Sequence, residues 1–309
     1  MSQPAQTPFA DVLVERVRQL GHPLCVGFDP HLDRIPASFR RGSMEPHDPE
    51  TAGAVADFLG SVLDRVAGRV AVIKPQAAFF EQLGWPGVKV LQELVTKARG
   101  LGVLVLMDAK RGDIGSTAAA YSRAHLGADA PFPSHALTVN PYLGLDTLDP
   151  FVDRAASTGS GVFVLVRTSN PGAGAFQDLQ DAGGRPLFHA VAEALAEPSK
   201  RLRGSSGFSG LGAVVGATWP GEADAVRERL PHALVLVPGY GAQGGSAKDA
   251  VRAFVPGPNG LEGGLVNSSR GILFPAAPDD SLSAWEAAFE AGLRRAIDEL
   301  GDAVGGGAP

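Results

Sequence analysis

Six lysines stand among the 27 basic side chains, so arginine carries most of the positive charge and each lysine poses the question of why arginine would not serve. Lys110 poses it most sharply. It lies two residues after Asp108 in the run LVLMDAKRGDIGSTAAAYS, and no other lysine in the chain has an aspartate two residues before it. Side chains alternate along an extended strand, so Asp108 and Lys110 are expected to leave the same face and enter the same space. One carboxylate and one ammonium are thereby fixed together. Asp113 follows three residues later, where the chain should turn into a helix, and its ordinary role there is to cap that helix.

Other polar residues close apolar runs in the same manner: Asp29, Lys74, Asn140, Thr168 with Ser169, Gln243 and Arg270. Taken singly each is most simply a solvated loop residue, and the functional case rests on their convergence. Two glycine-rich or small-residue segments, PGYGAQGG (238–245) and SSRG (268–271), suit an anion, because glycines let backbone N–H groups approach it and an arginine stands beside them. Gln243 and Arg270 are the expected side-chain grips, with Gly244, Gly245 and Ser269 as backbone contacts. A glycine turn alone is more often plain punctuation.

These residues must be positioned by the elements they terminate. Eight short Val/Leu-rich runs (24–29, 70–75, 102–110, 136–140, 161–167, 211–217, 233–239 and 263–270) alternate with amphipathic segments near 51–68, 86–100, 114–127, 144–157, 185–203, 219–230, 246–254 and 281–300. The strands are nearly continuously apolar, as parallel strands buried on both faces must be. Eight such units fill the 309 residues, which favours an α/β, single-domain (β/α)8 barrel over 1–309, preceded by an N-terminal helix. An open doubly wound sheet is the alternative. In the barrel the active site lies at the C-terminal ends of the strands, where the polar residues above fall, and the loops after its last two strands are the usual phosphate site. Segments 30–50, 168–184 and 257–262 read as loops, and the tail 302–309 as disordered.

Composition excludes several classes. With 44% hydrophobic and 19% charged residues the chain can fill a core, so it is not a disordered protein. A formal charge of -6 is the wrong sign for gripping nucleic acid or an anionic membrane through a general basic field. The N-terminus has no basic segment followed by an apolar stretch, and no run approaches a spanning helix. The single cysteine, Cys25, allows no disulfide framework and reads as a buried small hydrophobe, which fits a reducing cytoplasm. The seven histidines show no ligand spacing, so no metal site is expected.

The run DAKRGDIGST, with GFDP (27–30), VIKP (72–75), RTSNPGA (167–173), PGYGAQGG and SSRGI in the same order along most of the chain, resembles the orotidine 5'-phosphate decarboxylase family in its longer-chain bacterial branch. The resemblance implies that Lys74, Asp108, Lys110 and Asp113 surround the scissile carboxylate, Asp113 being supplied by the neighbouring subunit of a homodimer with shared sites. Lys110 would stabilise the C6 carbanion and then protonate it, which explains lysine over arginine, whose proton is too tightly held. Asp29 and Lys74 would contact the ribose hydroxyls, Thr117 would reach the ribose from the partner chain, and Ser169 would read the pyrimidine amide. Gln243 and Arg270 would hold the 5'-phosphate of orotidine 5'-phosphate. No metal and no organic cofactor is implied. Three other readings stay open: a magnesium-dependent sugar-phosphate enzyme of the same suprafamily such as hexulose-phosphate synthase, a catalytically idle nucleotide-binding barrel, and a structural role for the charge-balanced array.

Overall fold

The computed structural model describes residues 6–217, 220–241, 244–277 and 279–305. In chain order its elements are α1 (Phe9–Leu20), β1 (Leu24–Phe28), α2 (Thr51–Val66), β2 (Val72–Pro75), α3 (Ala78–Glu81), α4 (Gly84–Gly100), β3 (Leu104–Arg111), α5 (Gly115–His125), β4 (Ala136–Val139), α6 (Asp149–Thr158), β5 (Gly161–Arg167), α7 (Gly174–Gln177), α8 (Leu187–Ser199), β6 (Ser209–Val215), α9 (Pro220–Arg229), β7 (Ala233–Val237), α10 (Ala247–Ala250), β8 (Val255–Gly257), β9 (Gly260–Glu262), β10 (Gly264–Ser268), α11 (Arg270–Leu273) and α12 (Leu282–Val304). Eight strands close into a barrel in the order β1-β10-β7-β6-β5-β4-β3-β2, every neighbouring pair parallel. The closed barrel expected from the apolar runs is therefore the fold, and the open sheet is set aside.

Strand alternation divides the core in two. Cys25, Val72, Leu104, Leu106, Ala136, Phe163, Leu234, Leu236 and Leu265 pack together inside the barrel, while Val26, Ile73, Val105, Met107, Leu137 and Val266 face the helices. Helix α1 closes the barrel's N-terminal end. Its buried Phe9, Ala10, Leu13, Val14 and Val17 recur at helical spacing and join the interior cluster, and Asp11 accepts backbone N–H bonds from Ser205 and Ser206 before β6. The helix stops at Gly21, whose φ of 73° returns its N–H to the Val17 carbonyl. With that end sealed, the mouth at the strands' C-terminal ends is left for chemistry.

Three expectations need correction. Segment 257–262, read as loop because of its prolines and glycines, belongs to an antiparallel hairpin of β8 and β9 in which Val255 faces Glu262; Pro256 is tolerated because the strands are short and isolated from the barrel. The helix expected at 246–254 shrinks to the single turn α10, started by a capping box between Ser246 and Asp249. The tail is ordered further than expected: α12 continues through Val304, which is buried, and ends at Gly305 with φ 76°, so 302–304 are helical. The loops 30–50 and 168–184 do connect elements as read, but both contain short helical turns, Leu32–Arg34, Ala37–Phe39 and Pro171–Ala173 among them. Among the described residues no helix is long and apolar enough to cross a membrane.

Helix α12 anchors the closing side of the barrel through Trp285. That ring is 1% exposed, lies among Phe39, Phe58 and Phe289, and donates its Nε1–H to the Leu273 carbonyl of α11 at 3.0 Å. Removing a fully buried aromatic leaves a cavity, so Trp285→Ala should lower stability by about 3–5 kcal/mol. Urea denaturation of variant and parent checks this. A midpoint unchanged within error would show that the cluster does not hold α12 in place.

Candidate active site

The interior alternation runs on into the mouth. Val72 and Leu104, Leu106 point inward, so Lys74 and Asp108 do too, and Ala136 places Thr138 inward by the same parity. Asp108 is the hub. One carboxylate oxygen, Oδ2, accepts from Lys74 Nζ at 2.8 Å; the other, Oδ1, accepts from Lys110 Nζ at 2.7 Å and from Thr138 Oγ1 at 2.8 Å. Lys74 is 5% exposed and Asp108 7%, whereas 45% of the Lys110 side chain is exposed toward the mouth.

Burial alone would neutralise these groups, but their mutual charge outweighs it. For Asp108 desolvation opposes ionisation, and Lys74 and Lys110 nevertheless hold the carboxyl well below the usual carboxylate range. For Lys74 burial opposes the ammonium, and Asp108 with Asp29 nevertheless push its pKa above the ordinary lysine value. Both are charged at neutral pH. By contrast, burial pushes the Cys25 thiol up to about 12, which agrees with a packing role for that residue.

Simple alternation does not bring Lys110 to Asp108. Met107 pairs with Leu137 and Arg111 with Val139, so four residues of β3 span two of β4 and the strand bulges between them. Lys110 sits in this bulge with φ 47°, one of two described non-glycine residues in the left-handed region. Such a conformation costs on the order of 1–3 kcal/mol and persists only where its surroundings enforce it. The proximity predicted from sequence is found, by a different backbone route.

Asp113 does not join the cluster. It is half-buried, its Oδ1 accepts from the adjacent Ile114 N–H at 2.7 Å, and α5 begins after Ile114 with no side-chain cap, so the capping role is also absent. Thr117 is exposed on α5. Gly112 is needed here because a Cβ would lie 2.9 Å from the Asn140 carbonyl oxygen. Asn140 itself is exposed; its side chain accepts the Tyr142 N–H, a turn role, and its own N–H donates to the Arg111 carbonyl.

At the adjoining ends of β1 and β10, Asp29 Oδ1, Asn267 Oδ1 and Ser269 Oγ are buried without hydrogen-bond partners. Three orphaned acceptors or hydroxyls in one seam are unusual in a protein interior and fit a polar ligand. Arg270 is half-buried, next in sequence to Ser269, and makes no ion pair with the described residues. Gln243 lies outside the described residues. Gly244 and Gly245 have their amides engaged within their own turn, Gly244 N–H to Gly241 O at 2.9 Å and Gly245 N–H to Gly239 O at 3.3 Å. Neither is therefore a free donor in this conformation, against the expectation for both. Ser269 likewise presents its hydroxyl as the unsatisfied group.

Ser169 is half-buried and packs just past the end of β6, where Gly216 leaves room: a Cβ there would lie 3.0 Å from the Ser169 Cβ. The residue that fixes this loop was not singled out from sequence. Arg167 ion-pairs with Glu222 of α9 and with Asp178 beyond α7, and lies 5.1 Å from the Phe188 ring centroid. Its buried guanidinium ties the 168–184 loop to two elements. Thr138 and Asn267 were missed too, although their inward parity with Ala136 and Leu265 is legible once the strands are placed.

Fold and site together define a (β/α)8 barrel that gathers a cluster of buried and accessible charges at its C-terminal mouth. Residues 22–285 match the orotidine 5'-phosphate decarboxylase / HUMPS family, and the chain belongs to that family. It is 43% identical over 303 residues to the orotidine 5'-phosphate decarboxylase of Rhodopirellula baltica, spanning 96% of this chain and 99% of that one. The enzyme of the same name from Deinococcus radiodurans is 41% identical over 300 residues, spanning 96% and 98%. The structure of Leishmania donovani OMP decarboxylase superposes with a TM-score of 0.71 at 33% identity, covering 94% of this chain and 99% of that one.

The charge assignments set a sign for pH dependence. The depressed pKa of Asp108 means its contribution to stability is present above the unfolded carboxylate value, about 4, and is lost as pH falls through the lower folded value. The raised pKa of Lys74 means its contribution is complete below the unfolded lysine value, about 10, and is lost as pH rises further. Asp108→Asn leaves the buried Lys74 ammonium without its main partner, so it should lose about 3 kcal/mol at pH 7. In denaturant titrations the deficit should narrow as pH is taken below about 4; a deficit independent of pH would contradict an ionised Asp108.

Proposed function

We infer that the protein decarboxylates orotidine 5'-phosphate to uridine 5'-phosphate and carbon dioxide, the closing step of pyrimidine nucleotide synthesis, without a cofactor. The observation that carries this reading is the Asp108 carboxylate held between Lys74 and Lys110 in a chain of this family. Breaking the C6–carboxylate bond leaves its electron pair on C6, where no adjacent carbonyl can take it up as an enolate. An ammonium beside C6 supplies the stabilising charge. Lys110 is half-exposed at the mouth, so its Nζ faces the space a substrate would fill. It then transfers one proton to C6, becomes a neutral amine, and regains a proton from solvent.

Asp108, ionised and anchored, would repel the substrate carboxylate until carbon dioxide leaves. Two like charges at about 4 Å and an effective dielectric near 20 interact by roughly 4 kcal/mol. Enzymes lower barriers by about 8–23 kcal/mol, so carbanion stabilisation must supply the larger share. Asp29, Ser269 and Asn267 offer unpartnered polar atoms for the ribose and its neighbours, Ser169 suits the pyrimidine amide, and Arg270 with Gln243 suits the 5'-phosphate. The magnesium-dependent and idle alternatives are less well supported, because curated relatives spanning nearly the whole chain carry the decarboxylase name. A single buried thiol fits residence in a reducing cytoplasm.

Assembly as a homodimer with shared sites is supported by the surroundings of Asp113 and Thr117. Ile114 (63% exposed), Tyr142 (79%), Leu143 (52%) and Leu145 (44%) form apolar surface beside them. A partner covering this surface would leave Asp113 and Thr117 at the neighbour's mouth, which explains why neither serves its own site.

Incubation with orotidine 5'-phosphate should abolish the orotate absorbance, with turnover unaffected by exhaustive chelation. Lys110→Ala should lose turnover while still binding uridine 5'-phosphate, because the phosphate contacts lie on other strands. Loss of activity on chelation, restored by magnesium, would favour the sugar-phosphate alternative, and near-normal turnover of Lys110→Ala would remove the assigned acid. For assembly, subunits carrying Lys110→Ala are mixed with subunits carrying Asp113→Ala. In a shared-site dimer one mouth collects both defects and the other neither, so activity should reappear once exchange is verified by mass. Mixed dimers that stay inactive would place Asp113 in its own chain's site.

A further inference from the structure

We propose that Thr138 is a positioning residue for decarboxylation, holding the β3 bulge that turns Lys110 onto Asp108. The proposal rests on the reading of Lys110 as the acid. Thr138 is 1% exposed and stands on β4 between Leu137 and Val139, the two residues that bracket the bulge on the facing strand. Its Oγ1 accepts the Lys110 backbone N–H at 3.0 Å and donates to Asp108 Oδ1 at 2.8 Å. The direction of both bonds is fixed. An amide N–H can only donate, so the hydroxyl must receive it, and its single proton is left for the carboxylate.

One hydroxyl therefore joins the two catalytic candidates by different atoms. It satisfies the main chain of Lys110 at the point where that residue enters the left-handed region with φ 47°. It also restrains the same Asp108 oxygen that receives Lys110 Nζ. Valine would keep the β-branch and nearly the volume, yet leave a buried N–H without an acceptor and Asp108 with one donor fewer. The backbone would then be free to relax out of the bulge and carry the lysine Nζ away from C6. The phosphate candidates and the ribose candidate Asp29 lie at the ends of β1 and β10 and in the loop after β7, and the ribose candidate Lys74 is held through the other Asp108 oxygen, Oδ2, so substrate binding should be little affected.

Purified Thr138→Val and Thr138→Ser are compared with the parent and with Lys110→Ala by steady-state kinetics on orotidine 5'-phosphate, after thermal melts establish that they are folded. A shift on the scale of an ångström at a reacting group costs about 100-fold, so Thr138→Val should lose on the order of 10- to 100-fold in kcat with KM near the parent value. Thr138→Ser keeps the hydroxyl and should restore kcat close to the parent. A merely structural role would lower the melting temperature of both without this split. Should the valine variant fail to fold, Thr138→Cys takes its place, since a thiol is a weak donor and acceptor of similar size to the serine side chain. The proposal is overturned if kcat is unchanged in the valine or cysteine variant, if the loss lies in KM, or if Thr138→Ser is as slow. If Lys110→Ala turns over normally, the acid assignment beneath it fails instead, and the two failures are told apart.

Discussion

Asp108 has to stay ionised in a place where burial favours a neutral acid, and much of the mouth is arranged around that demand. Lys74 reaches it from β2, Lys110 from within its own strand, and Thr138 from β4, so three strands are drawn onto one carboxylate. The charges are unequal in exposure. Lys74 is sealed in and acts as a fixed counter-charge, while Lys110 has one side open to the mouth. A buried pair with a third, accessible ammonium keeps one charge available for a ligand without leaving the aspartate unpaired.

The barrel supplies what this cluster needs. Closing the N-terminal end with α1 and filling the interior with Leu104, Leu106, Phe163, Leu234 and Leu236 makes a dry floor beneath the charged ring. Above that floor inward positions of neighbouring parallel strands stand side by side: Cys25 pairs with Asn267, and Gly27 with Lys74. Low-dielectric walls strengthen every interaction in the ring. The same walls make each unpaired polar atom costly, so the orphaned oxygens of Asp29, Asn267 and Ser269 are suited to receive a polar ligand.

Of the three register shifts between described barrel strands, one, β6 against β7 between Ser209 and Ala213, lies toward the sealed end, and the other two lie toward the mouth. These two are β3 against β4 around Lys110 and β5 against β6 just before Arg167. In one case the shift turns a lysine onto an aspartate. In the other it precedes a guanidinium that gathers Glu222 and Asp178 and so fixes the loop bearing Ser169. Regular strands carry the barrel, and departures from regularity aim its side chains.

The sequence by itself determined the architecture and most of the ring. Eight continuously apolar runs separated by amphipathic segments have few ways to bury both faces, and the polar residues that close them, Asp29, Lys74, Asp108, Ser169 and Arg270 among them, are legible as the rim; which parity of each run faces inward is not, because both faces are apolar, so Thr138 and Asn267 emerge only with the structure. The D-x-K-x-x-D spacing singled out the strand on which Asp108 and Lys110 meet, though not the place of Asp113. What only the tertiary structure decided are the relations between segments far apart in the chain. The bulge at Lys110 meets Thr138 of β4, the amides of Gly244 and Gly245 are engaged by carbonyls of their own turn, and Arg167 acquires partners 11 and 55 residues away. Asp113 and Thr117 illustrate the same limit from the other side: their spacing from Lys110 is local, but where they point is set by the turn into α5 and by the surface beside it. Local pattern reports which face a side chain leaves; the energies that bend a strand or engage a donor come from groups that meet only when the chain has closed.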